Sequence, residues 1–553
     1  MCGIYARVGT HKIKESCQRL KKLSYRGYDA HGYRVVCNGG LYAYTHKRLG
    51  EIKPTGGADA QLFLGHTRWA TSGTNHEELA HPHNFDNNYI VHNGILNCPP
   101  DNQAVETDSQ IIPVLINKYI TDEKSIDALE LALEELYKYN TEIGAIVYYD
   151  ETHGHTKELI VYTDSLPLFT NCRGVVASDT SAFEDDENIY AVPKHIAFTL
   201  TEEGLIDNGL VAIGLEKASR KKSDKTKHTE NFTLNEIAEQ ADLIKEIEQR
   251  NVSPLTDLIY SDRRIMTIAC GSSHYAGMLG GLYLGNTGVR CNQRYASEIQ
   301  DGLYYSDEYT THMLISQSGE TKDVIDSAKI IKKGFALINR SNSSLSHIFP
   351  SYMMGVGEEI GVAATKSFMA TALLMYKCGH ITSFKNLATC VRDLTSPQTS
   401  GIIKGYAKQF KNYRNMLILG TGLNYPIALE AALKIKEVSY IHAEGMPSSE
   451  IKHGPLALID DDTLSVCIVD KTDPKVVESI RNIEQIKTRG GEVLVIGNNN
   501  YTSKNQILTI PCDNKDLQPL VNLVVLQLFA CYLAEAKGLN VDKPRNLAKS
   551  VTV

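Results

Sequence analysis

The chain has 553 residues, 42% of them hydrophobic and 22% charged, with 57 Lys and Arg against 65 Asp and Glu. That balance describes a packed protein of several domains and excludes a disordered chain. A net charge of −8 lacks the basic excess of a nucleic-acid binder, and none of the twelve Cys shows CxxC spacing, so neither a structural zinc site nor a redox pair is expected. Free thiols in a reducing cytoplasm are the simplest expectation. The N-terminus turns charged where a signal peptide would be apolar, and the most apolar stretch, 520–533, is too short to span a bilayer. It reads as a buried core helix.

Residues 1–215 alternate short apolar runs with turns. Strands are expected at 32–37, 62–66, 89–92, 144–149, 159–163 and 174–177, and helices over 14–23 and 107–139. Such a mixture points to an α+β layered sandwich. Residues 217–228 (KASRKKSDKTKH) hold six basic side chains and no aromatic, which reads as a solvated linker. Beyond about residue 245 the pattern becomes strand–turn–helix and repeats. Strands at 264–268, 313–316 and 335–339 have counterparts at 416–419, 465–469 and 492–496. Two copies of one parallel α/β unit explain this.

Cys2 follows the initiator directly. Removal of Met1 would leave an α-amine beside the thiol, with a pKa near 7.7–8.0 that suits a general base. In the loop GHTRWATSG (65–73), Arg68 can pair with an α-carboxylate and Thr71 can hydrogen-bond the same group. Asn93 and Gly94 supply a side-chain amide and a backbone N–H, the parts of an oxyanion hole. Asp108, in Glu106-Thr107-Asp108, is either a favourable acid at a helix start or a partner for an α-ammonium.

SQSGET (316–321) lies between a strand and a helix expected over 322–333. Its hydroxyls and N–H groups suit a phosphomonoester, and a hydroxyl-capped helix is the plainer alternative. Cys270, in the CGSS turn at 270–273, reads as a packed turn residue rather than a nucleophile. In the second copy Lys434 and Glu437 share a face of a helix expected over 426–440, as a surface ion pair or as paired acid–base groups. His453 falls in KHGP (452–455), which reads as a loop tip, where function is more plausible.

The first third closely resembles class II (N-terminal nucleophile) glutamine amidotransferase domains, through CGI at 2–4, YRGYD at 25–29, the 66–73 loop, AHPH at 80–83, Asn93-Gly94 and ETD at 106–108. The resemblance implies Cys2 as nucleophile, Asn93 and Gly94 as oxyanion hole, and Arg68, Thr71 and Asp108 as glutamine ligands. SQSGET and CGSS resemble sugar-isomerase (SIS) domains. With the terminal DKPRNLAKSVTV (542–553), nearly the whole chain resembles the isomerising glucosamine–fructose-6-phosphate aminotransferase family.

That resemblance implies an N-terminal-nucleophile αββα sandwich glutaminase (2–215), a linker (216–245) and two doubly wound parallel-sheet SIS domains (246–390 and 405–541). A catalytic tail (542–553) follows. It implies glutamine and fructose 6-phosphate as substrates, no cofactor or metal, and the first step of the hexosamine pathway. Lys549 would form the Schiff base, Glu437 would move a proton between C1 and C2, and Lys434 would support it. His453 would open the sugar ring across a homodimer interface. Ser316, Gln317, Ser318 and Thr321 would hold the phosphate, with Ser272 and Val362 near the sugar. Trp69 matches the residue that gates an ammonia passage, core packing being its plain alternative. Ser72 and Ala364 depart from the family's usual His and Ser. Another acceptor for the nitrogen, or a noncatalytic sugar-phosphate sensor, are the competing readings.

Overall fold

The computed structural model of the protein describes residues 2–24, 26–27, 29–37, 42–50, 52–53, 57–69, 76–96, 105–120, 124–139, 143–152, 158–184, 187–207, 210–211, 214–218, 231–299, 310–341, 343–380, 383–498, 501 and 503–549. The chain divides into two compact units, residues 1–222 and 223–549.

The first unit holds two seven-stranded sheets. At the centre of one, Gly3–Lys12 pairs antiparallel with Asp59–Arg68 and Val175–Ala177. In the other, Ala145–Asp150 lies between Asn88–Asn93 and the central strand Leu159–Thr163. Alternation along these strands sends Ile4, Ala6, Val8, Leu62 and Leu64 of one sheet against Val91, Val147, Val161 and Leu200 of the other. On the outer face of the first sheet, Cys17 and Leu20 of the helix Ile13–Lys22 pack on Tyr5 and Phe63. On the outer face of the second, Ile112, Leu115, Leu129 and Leu133 pack on Ile90, Ile146 and Tyr148. Helix, sheet, sheet, helix is the layered sandwich expected.

One expectation needs correction here. The helix read over 107–139 is a short 3-10 turn, Asp108–Gln110, then two helices, Ile111–Tyr119 and Ser125–Tyr137. A single 33-residue rod would run about 50 Å, far beyond strands of six residues; two short helices cover the sheet instead.

The second unit carries two five-stranded parallel sheets, each with strand order 2-1-3-4-5 in its own chain order. Parallel pairing buries both faces, so the central strands Thr311–Ser316 and Thr463–Ile468 are buried at every residue. One apolar core runs through both copies, filled by the helices Gly271–Gly285, Lys366–Gly379, Asn424–Ser439 and Gln518–Ala536. The segment Lys515–Ala536 has enough length to cross a membrane, and its most apolar 18 residues have a mean hydropathy of 1.7, yet those residues are buried inside this core.

Half of the stretch read as a linker is the helix Phe232–Gln249, whose Ile237, Ala241, Ile244 and Ile247 recur at helical spacing and are buried. Residues 219–228 of the basic run lie outside the described residues. The helix read over 322–333 ends at Ile330, because Ile331 turns extended and drops into the core. No disulfide joins the described cysteines.

Candidate active sites

In the first unit, Cys2 stands at the start of the strand Gly3–Lys12, and Arg68 ends its antiparallel neighbour. The Trp69 N–H donates to Cys2 Sγ (3.2 Å), and Asn93 Nδ2 donates to the Cys2 carbonyl (2.8 Å). Arg26 reaches the same carbonyl (3.3 Å) and pairs with Asp179, also at 3.3 Å. Burial pushes the Cys2 thiol up, opposed by the nearby N-terminal charge, the Trp69 N–H and the charges of Arg68 and Arg26. A thiol held this way needs a base to attack.

Asn93 is fixed by its other end, where Oδ1 accepts from His66 Nε2 (3.2 Å). The Gly94 N–H has no hydrogen-bond partner among the described residues. A Cβ at Gly94 would fall 2.2 Å from the Ile143 carbonyl oxygen, so only glycine fits this turn. Asp108 Oδ2 accepts the Leu96 N–H (2.8 Å), and Asp108, Asp29 and Cys2 are the charges that oppose the downward pull of burial on Arg68. The sandwich thus brings Cys2, Arg68, Trp69, Asn93, Gly94 and Asp108 to one end of its sheets. Thr71 and Ser72 lie outside the described residues.

Beneath this end lies a feature that sequence reasoning missed. The rings of His66 and His81 are 4.0 Å apart between centroids, and those of His81 and His83 are 4.2 Å apart. Burial holds His66 down to about 3, drives His81 and His83 well below the ordinary value, and lowers His92. These imidazoles are neutral. Neither ring nitrogen of His81 has a hydrogen-bond partner among the described residues.

In the second unit, the strand Thr311–Ser316 delivers the SQSGET loop to the N-terminus of the helix Lys322–Ile330. Ser316 Oγ accepts the Gly319 N–H (3.0 Å) and lies 2.9 Å from Thr321 Oγ1, while Ser318 Oγ accepts the Glu320 N–H (3.1 Å). A hydroxyl that accepts from its own backbone keeps its proton to give to an anion. Gly319, at φ +68°, lies so close to Ser343 that a Cβ would fall 2.1 Å from Ser343 Oγ. Gln317 is partly exposed beside the loop.

At the equivalent turn of the second copy, Asp470 stands buried instead. It accepts from the side chains of Asn424 and Asn522 (each 2.8 Å) and from the Asn498 N–H (3.3 Å).

Ser272 opens the helix Gly271–Gly285, and its hydroxyl is among the influences that lower Glu430. Cys270 is held up to about 11 by burial and by Asp323, which suits a packed turn residue. Lys434 Nζ is 2.5 Å from Glu437 Oε2 and 3.6 Å from Glu430 Oε1. Burial works against the Lys434 charge, but Glu430 and Glu437 outweigh it and raise its pKa. Burial, helped by the charge of Glu437, lifts Glu430 to about 8 against the pull of Lys434. Glu430 is four residues before Lys434 and seven before Glu437, a one-face spacing that sequence reasoning could have used.

Lys549 Nζ donates to Glu359 Oε2 (2.9 Å), and both side chains are buried, 6% and 0% exposed. The charge of Glu359 also acts on Lys434, which ties Lys549 to the Lys434–Glu437 pair. Val362, three residues beyond Glu359, donates its N–H to the Asp542 carbonyl (3.2 Å). The structure does not bring His453 to this cluster. It is exposed at the end of the 3-10 turn Ser448–His453, before Gly454 at φ +138°, so the loop tip read at 452–455 is two short 3-10 turns. Residues 550–553 lie outside the described residues.

Comparison with known proteins adds to this geometry. The SIS domain model matches residues 258–377 and 409–536. Glutamine–fructose-6-phosphate aminotransferase (isomerizing) of Aquifex aeolicus is 33% identical over the full length of both chains. The Methanosarcina mazei enzyme of the same name is 31% identical, again over all of both. Among solved structures, the C-terminal domain of glucosamine-fructose-6-phosphate aminotransferase from Francisella tularensis is 28% identical, with a TM-score of 0.51. It covers 58% of this chain and 100% of its own.

Proposed function

The chain belongs to the glutamine–fructose-6-phosphate aminotransferase (isomerizing) family, and from that premise we infer that it moves the amide nitrogen of glutamine onto fructose 6-phosphate, giving glucosamine 6-phosphate and glutamate. Release of Met1 exposes the α-amine of Cys2 as the base for its own thiol. Arg68, Thr71 and Asp108 hold glutamine by its α-carboxylate and α-ammonium. The thiolate attacks the amide carbon, and the oxyanion is met by the Asn93 amide and the Gly94 N–H. Water then releases glutamate, and Trp69 gates the ammonia.

In the second unit the phosphate sits in the Ser316, Gln317, Ser318 and Thr321 loop, with Ser272 and Val362 against the sugar. His453, supplied by the other protomer of a homodimer, opens the ring. Lys549 condenses with the C2 carbonyl, and Glu437 carries a proton between C1 and C2 with Lys434 holding its carboxylate. The reaction is cytoplasmic, in line with the substrates.

The observation that most supports this reading is Lys549: an amine buried against a single carboxylate, in the unit that also carries the phosphate loop and the Lys434–Glu437 pair. Product analysis with amide-labelled glutamine and fructose 6-phosphate tests it. Labelled amino-sugar phosphate is expected. Labelled ammonia without amino sugar, from protein lacking Met1, sinks the reading.

A further inference from the structure

Around Lys549 the unit buries two carboxyl groups, and neither stood out in the sequence. Glu359 touches the amine directly. Its Oε1 accepts the N–H groups of Thr365 (2.9 Å) and Ser367 (3.2 Å), and its Oε2 accepts Ser367 Oγ (3.0 Å) as well as Lys549 Nζ (2.9 Å). The carboxylate is thus fixed by the chain at the start of the helix Lys366–Gly379, with one oxygen turned to the amine.

Glu236, on the helix Phe232–Gln249, is the second. Its Oε1 accepts the N–H groups of Ile360 and of Gly361 (3.2 Å), immediately after Glu359. Its Oε2 is buried and has no hydrogen-bond partner among the described residues. Gly361 packs so closely that a Cβ would fall 3.1 Å from that oxygen.

We propose that Glu359 is the catalytic group that takes the proton from Lys549 and returns it during Schiff-base formation, while Glu236 stays protonated beside it so that the amine faces one counter-charge and not two. This rests on Lys549 being the Schiff-base lysine.

The balance closes within the pair. The Lys549 ammonium gives a proton to the Glu359 carboxylate, and the freed nitrogen lone pair forms the C–N bond at the C2 carbonyl. The carbonyl oxygen takes one proton from nitrogen and one from Glu359, the C–O bond breaks, and water leaves. An iminium then stands where the ammonium stood, again facing a carboxylate, so charge is unchanged from start to finish. A fixed counter-ion costs no reorganisation in such a step.

Two buried carboxylates against one cation would leave an uncompensated charge, which burial makes expensive. The groups facing Glu236 are Lys549, Glu359 and Lys366, with Cys531 across from it on Gln518–Ala536 and Asp542 at the head of its own helix. Burial holds Glu236 up to about 8 against the pull of Lys549. Burial would raise Glu359 too, but Lys549 and the N–H groups of Thr365 and Ser367 outweigh it and keep it ionised while the amine is charged. Ionised and neutral carboxyls side by side are what the division of labour requires.

The test is reductive trapping of fructose 6-phosphate on Lys549 with cyanoborohydride, read by peptide mass from pH 6 to pH 9.5. Glu359→Gln keeps an Oε1 for Thr365 and Ser367 but cannot hold the proton. Its trapping rate at pH 7 should fall at least about tenfold with sugar-phosphate binding by calorimetry retained. Glu236→Gln keeps the acceptor for Ile360 and Gly361 and mimics the neutral acid. It should trap at the native rate at pH 7, and its rate should go on rising above pH 8, where the native rate levels off.

Native-rate trapping by a sugar-binding Glu359→Gln protein overturns the proposal. So does a Glu236→Gln profile that levels off like the native one, which decides the matter even if Glu359→Gln does not fold. If native protein traps no sugar at Lys549, the Schiff-base reading itself falls, and that failure is distinct from either variant result.

Discussion

Acidification should unfold the first unit well before the second, and the buried histidines set the size of the effect. His66 sits at about 3 and His11 at about 4, both depressed by burial from 6.5. Above pH 6.5 both are neutral, folded or unfolded, and the unit's stability is fully present. As pH falls below 6.5 the unfolded chain takes up protons that the folded rings refuse, and stability drains until the folded values are passed. At pH 5 each ring accounts for about 2 kcal/mol, so the two together remove about 4 kcal/mol from a domain stability of about 5–15 kcal/mol. Lowered His81, His83 and His92 act in the same direction. Trp69 is the chain's only tryptophan and belongs to this unit, so its fluorescence reports the unit by itself. With a urea slope of about 2 kcal/mol/M, the Trp69 transition should move down by about 2 M or more between pH 7.5 and pH 5. His66→Gln, which can still donate to Asn93 Oδ1, should recover about 1 M of that shift. A Trp69 midpoint that is the same at both pH values, or a His66→Gln protein with an unaltered pH response, refutes the reasoning.

Cys2→Ala should abolish glutamine consumption in a glutaminase assay while calorimetry still shows fructose 6-phosphate binding; residual glutaminase activity would remove Cys2 from the nucleophile's place. Trp69→Ala should keep glutamine hydrolysis and lose most amino-sugar formation, measured as the ratio of the two products. Gly319→Ala, strained at φ +68° and forced against Ser343 Oγ, should weaken sugar-phosphate binding by at least about tenfold in calorimetry without urea, where the variant stays folded by circular dichroism. Glu437→Gln should stop amino-sugar formation yet leave Lys549 trapping intact, which separates proton transfer from Schiff-base chemistry.

How far these sites could be read in advance depended on whether their parts were neighbours along the chain. The SQSGET loop was legible because strand, hydroxyls, glycine and helix follow one another without a break, and the structure holds them in that order. The layered sandwich was legible from period-two alternation. Its long helix was misread because the five polar residues TDEKS (121–125), which part the two apolar patterns, were passed over. Glu359 was invisible for a different reason. It meets Lys549 across 190 residues, and nothing near Glu359 in sequence marks it as more than one acid in a loop. Glu236 lay in a segment read as linker, and its burial follows only from the packing of the helix on the core. The histidine cluster likewise arises where separate strands of the sandwich converge.

The carboxylate of Asp470 gives the internal duplication a direction. Both copies offer the same crossover turn after the third strand, but the first places Ser316 and Ser318 there and the second places Asp470. The second presents a negative charge already saturated by three amide donors. A phosphate entering that second turn would meet the like charge of Asp470. With the phosphate read into the SQSGET loop alone, calorimetry should count one sugar phosphate per chain. The first copy carries the hydroxyl loop and the second carries the Lys434–Glu437 helix, so the two halves of the duplication are not equivalent.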